Sequence, residues 1–169
     1  FRNRHDAKRL NRETKPKAAD SVIKMNDELF LLIAVVVNRD QYIRLRSSLS
    51  VEEVDDPRAK EIFIALEECF RNDFDGMDAF LSRISDDALK AFILEKGSSE
   101  AFSLQADKLV ADGIMRVKEK RLERRRTEIV LKLRSARDEG YGTERELDSL
   151  LSEKMHIDAE LRRIKEDHE

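Results

Sequence analysis

Tryptophan is absent from this chain, and the residues that interrupt or cross-link helices are few: one Cys, two Pro and five Gly in 169 residues. A lone Cys69 excludes internal disulfides and a cysteine-based zinc site. It fits a reduced compartment, and its expected place is the core. The longest apolar run, residues 29–37, is far shorter than the roughly 20 residues a membrane-spanning helix needs. No secretory signal is visible, and a start at Phe1 rather than Met leads us to expect a piece of a longer protein.

Catalytic chemistry is equally thin. There is no glycine-rich phosphate loop, no serine in a nucleophile elbow and no His-Glu-x-x-His pair. The three histidines, His5, His156 and His168, lie in a tail, on a helical arm and at the terminus, too dispersed for a metal site or a histidine-based triad. Asp55-Asp56 and Asp86-Asp87 precede helices, where carboxylates oppose the positive helix end. The expectation is therefore no catalytic residue, no metal and no cofactor.

What is abundant is charge. Asp, Glu, Lys and Arg make up 41% of the chain and aromatics 6%, so much of it should be solvated helix surface, as long hairpins require and compact enzymes do not. The net charge of −3 gives no global reason to expect nucleic acid, but its distribution is uneven. Residues 1–20 hold 7 Lys/Arg against 3 Asp/Glu, with almost no apolar side chains, and read as a basic flexible linker. Residues 116–137 hold 10 against 3, a net of +7; residues 138–169 hold 5 against 11, a net of −6.

That contrast coincides with a periodic pattern. From a plausible N-cap at Ser99, residues 100–138 contain no proline and only Gly113, which predicts one uninterrupted helix. Its outer half carries a stripe of Leu122, Arg126, Ile129, Leu133 and Ala136. After a turn at residues 139–142, a second stripe follows: Leu147, Leu150, Lys154, Ile157, Leu161 and Ile164. Both have the spacing of a coiled-coil seam. Folding one arm on the other sets Ala136 against Leu147, Leu133 against Leu150, Ile129 against Lys154 and Leu122 against Leu161, with Arg126 reaching Asp158 or Glu160. A basic arm beside an acidic one favours an internal hairpin and a monomer over pairing of like arms between chains.

Upstream, Asn26 should cap a buried helix over residues 27–37, with Met25 and Phe30 as a hydrophobic staple. A short helix burying Tyr42, Ile43 and Leu45 follows, then a capping box at Ser50-Val51-Glu52-Glu53 cut short by Pro57. Asp56-Pro57 opens a third helix with Ala59, Ile62, Phe63, Leu66 and Phe70 inward. A fourth turns Met77, Phe80, Leu81 and Ile84 inward. Ser85 should cap a fifth that buries Ala88, Leu89, Phe92 and Ile93. Phe102, Ala106, Leu109 and Val110 should complete this core before the long helix leaves it near Gly113. The predicted fold is thus all-α: a compact bundle in residues 21–113, joined by the long helix to an antiparallel helical hairpin in residues 114–169.

Asp27-Glu28-Leu29-Phe30-Leu31-Leu32, the turn over residues 38–42 and the segment from Pro57 through Ile62-Phe63 to Leu66 resemble the bundle shared by the C-terminal domain of bacterial DNA primases and the N-terminal domain of replicative helicases. The long basic helix, followed by Glu146-Leu147-Asp148-Ser149-Leu150-Leu151-Ser152-Glu153-Lys154 and by Leu161-Arg162-Arg163-Ile164-Lys165, is similar to the terminal hairpin of the primase helicase-interaction domain. The resemblance implies a non-catalytic, cytoplasmic domain that docks primase onto the hexameric replicative DNA helicase, while the zinc-binding and polymerising domains lie elsewhere in the parent chain. Alternatives are a self-associating scaffold or coiled-coil adapter, or the N-terminal domain of a helicase. A nucleic-acid contact through the basic arm is disfavoured, because no aromatics are interleaved there to stack bases.

The docking residues expected on the hairpin are Val130, Leu131, Leu147, Leu151 and Met155, with Tyr141 at its tip. On a helical wheel Val130, Leu151 and Met155 share one flank beside the seam, whereas Leu131 lies nearly opposite the seam among charges.

Overall fold

The computed structural model describes residues 22–73, 76–139 and 143–166, without the side chains of residues 138 and 139. The basic segment of residues 1–20 and Tyr141 lie outside the described residues, as do His5 and His168. The class is all-α: among the described residues there are seven α-helices, short 3-10 turns and no strand.

Helix α1 (Asp27–Val37) is the centre of the bundle, with Leu29 and every residue from Leu31 to Val36 buried. Its sequence of three valines could also suit a strand; Asn26 decides the matter by accepting the Leu29 N–H at 2.8 Å, and Asn38 closes the other end. Against α1 pack α3, α5 and α6. Helix α2 (Tyr42–Ser48) buries Tyr42 and Leu45 but leaves Ile43 65% exposed, since Ile43 lies about a third of a turn or more off the Tyr42–Leu45 stripe. The Ser50 box forms, its N–H donating to the Glu53 carboxylate at 2.9 Å, and the chain makes only a 3-10 turn before Pro57.

Helix α3 (Pro57–Arg71) starts where Asp56 accepts the N–H groups of Arg58 and Ala59 at 2.8 and 3.2 Å. Its buried stripe is Ala59, Ile62, Phe63, Ala65, Leu66 and Cys69. Cys69 is in the core as expected; Phe70 is not, being 46% exposed. Seven residues make nearly two full turns, so Cys69 rather than Phe70 continues the line from Ile62. Phe70 packs instead on Tyr42, ring centroids 5.0 Å apart.

Helix α4 (Met77–Leu81) inserts the fully buried Phe80, with Ile84 just beyond it. Helix α5 (Asp87–Gly97) is capped by Asp86, which accepts the Ala88 N–H at 2.9 Å, and not by Ser85, whose N–H and hydroxyl both go to the Glu61 carboxylate. Leu89, Phe92 and Ile93 are buried and Ala88 is exposed, one residue off that face.

The long helix begins later than the sequence suggests. Ser99 caps only a 3-10 turn (Glu100–Phe102), and Gln105 at φ 52° breaks the path before α6 (Ala106–Glu139) starts. Tertiary contacts override local propensity here: Phe102 is buried against Phe30, centroids 4.9 Å apart, and its carbonyl accepts the Asn38 side-chain N–H at 2.7 Å. From Ala106 on, α6 is continuous for 34 residues, about 51 Å at the usual rise. Gly113 does not break it but lets it cross α1 closely, for a Cβ there would meet Leu31 Cδ1 at 3.0 Å and Leu31 Cβ at 3.3 Å. The bundle core runs past this glycine to Ile114 and Val117. Helix α7 (Glu144–Glu166) returns along α6. It opens with a reciprocal cap in which Thr143 N–H donates to Glu146 and Glu146 N–H to the Thr143 hydroxyl.

Candidate docking hairpin

The seam between α6 and α7 is a second, small core of Ile129, Ile157 and Leu161, with Leu122, Leu133 and Leu150 packed half-buried around it. Both charged residues on the stripes are neutralised by one carboxylate. Asp158 accepts Lys154 Nζ at 2.6 Å and pairs with Arg126 Nε at 2.8 Å, the partner expected for Arg126. The hydrogen bond from Lys154, with the nearby arginines, outweighs desolvation and holds the Asp158 carboxyl below its ordinary value.

One turn away, Arg125 grips Glu153 with two parallel bonds, Nε to Oε1 at 2.6 Å and Nη2 to Oε2 at 3.0 Å, and also reaches Glu128 at 3.2 Å. This fork is the planar match that arginine makes with a carboxylate. It keeps Glu153 ionised below its usual range and makes Arg125 harder to deprotonate.

The basic residues of 120–126 are divided between two neighbours, which the sequence reading missed. Lys120, Arg121 and Arg124 turn the other way, onto Asp27, Glu53 and Asp55 of the bundle. They border a cleft of about 240 Å³ floored by Val117. Glu28 stiffens its acidic wall by accepting the backbone N–H groups of Asp55 and Asp56, the latter at 2.7 Å. Burial pushes Glu53 up, but the Ser50 N–H and Arg121 together outweigh it and leave the carboxyl below its ordinary value. A signal for this clamp exists in the sequence: positions 120, 121 and 124 share one face of a helix, and two of their acids, Asp27 and Asp55, sit at or just before helix starts.

Among the expected docking residues, Leu131, Leu151 and Met155 are 56%, 48% and 73% exposed, whereas Val130 and Leu147 are half-buried. Leu131 does not stand alone among charges. It lines, with Leu147, Leu150 and Ala136, an open groove of about 680 Å³ on one flank of the hairpin. Val130, Leu151 and Met155 do not line this groove. Among the described residues no cluster of His, Cys, Asp and Glu is arranged for a metal ion, and no helix is long and apolar enough to cross a membrane.

The chain is 37% identical over 139 residues, 82% of its length, to a DNA primase of Treponema pallidum (strain Nichols). It is a primase-related segment. The alignment takes in 23% of that primase, so the chain spans just under a quarter of the relative's length. No protein-family profile matches the primase-related chain, and no solved structure matches it.

Proposed function

We propose that this chain is the non-catalytic, C-terminal helicase-docking domain of a DNA primase, and that it joins primase to the hexameric replicative helicase in the cytoplasm, modulating helicase and primer synthesis at the fork. The bundle of residues 21–113 supports the hairpin of residues 114–169, and the hairpin makes the contact. The observation that carries this reading is a hairpin whose seam is already filled by Ile129, Ile157 and Leu161 yet which still presents Leu131, Leu151 and Met155 to solvent. Apolar side chains left over after a core is complete are what a partner buries. Similarity to part of a primase supplies the biological setting. Tyr141, between α6 and α7 in the sequence, belongs to the same proposed surface.

The test is capture of the replicative helicase of the same cell by the full chain, by a chain ending at Arg137, and by Leu151→Glu and Met155→Glu. The full chain should bind. The truncated chain should lose binding while keeping the bundle's cooperative melt, and the two glutamate variants should bind at least about tenfold more weakly with helix content unchanged. A full chain that fails to bind, or glutamate variants that bind as tightly as the parent, would refute the assignment. A stable dimer in sedimentation at high concentration would favour a self-associating scaffold instead.

A further inference from the structure

We draw no further inference here: the strongest candidate, the bundle surface where Arg46 lies over the exposed Phe70 ring beside a cavity of about 550 Å³, is lined by Glu52, Glu53 and Glu67 against Arg46 and Arg71, and nothing in the structure shows what covers it.

Discussion

Ile129→Ala should open the hairpin without unfolding the bundle. Ile129 is fully buried, and the apolar core it belongs to has only two other buried members, Ile157 and Leu161. Removing three carbons forfeits about 2.5 kcal/mol at roughly 0.8 kcal/mol per buried methylene. A residual cavity between two otherwise rigid helices brings the cost to about 3–4 kcal/mol, within the range seen for isoleucine truncations. No other buried apolar residue of α6 lies in that seam, so the loss falls on α7, which is held on by those contacts and by exposed ion pairs worth little each. The bundle, built on α1 and α3, keeps its own core of 26 buried residues. Amide hydrogen exchange resolves the two. Protection in α7 should fall by two to three orders of magnitude, on the order of 1.4 kcal/mol per factor of ten, while α1 and α3 exchange as before. Equal loss of protection in α1 and α7 would refute the idea of two cores joined only by α6.

Other outcomes follow from single residues. Gly113→Ala gains about 1 kcal/mol of helix propensity but presses a Cβ on Leu31, buried and held by its own backbone, at a typical overpacking cost of about 1–3 kcal/mol; calorimetry should show a lower melting temperature. Glu153 and Asp158 have carboxyls held below their ordinary values of 4.5 and 3.8, so their contribution is complete above those values and is lost progressively as pH falls below them, through the lowered folded-state values. α7 protection should accordingly drop on acidification, and Glu153→Gln should flatten that drop; a loss on raising pH would contradict the sign. Tyr42→Phe removes a buried hydroxyl that finds no hydrogen-bond partner among the described residues, and urea unfolding should show stability unchanged or raised by up to about 1 kcal/mol.

Much of this architecture is legible in the chain because its signals are local. Asn26, Asp56 and Pro57 announce helix starts by chemistry that needs no tertiary partner, and the three-four spacing from Leu147 to Ile164 fixes which side of α7 faces inward. What escaped was decided by contacts distant in sequence. The stretch over residues 103–105 contains no helix breaker, yet burial of Phe102 beside Phe30 and capture of its carbonyl by Asn38 deny it helical form. Asp86 and Ser85 are both credible caps, and Glu61, 24 residues away, decides between them by claiming the serine. The same applies to the hairpin surface. A helical wheel shows which residues leave the seam, but only the approach of two helices makes the groove that unites Leu131 with Leu147.

The clamp of Lys120, Arg121 and Arg124 on the bundle has a mechanical meaning. Without it, α6 would be a cantilever rooted near Val117 and projecting roughly 33 Å to Glu139; with it, the root moves out to Arg124 and the free span shortens to roughly 22 Å. Deflection of an elastic beam grows with the cube of its length, so rigid bracing at Arg124 would cut the sway of the far end of α6 to roughly a third, and three exposed ion pairs, each worth little, supply part of that. The bundle and the outer part of α6 are thereby held at a more constant separation than a bare helix would give.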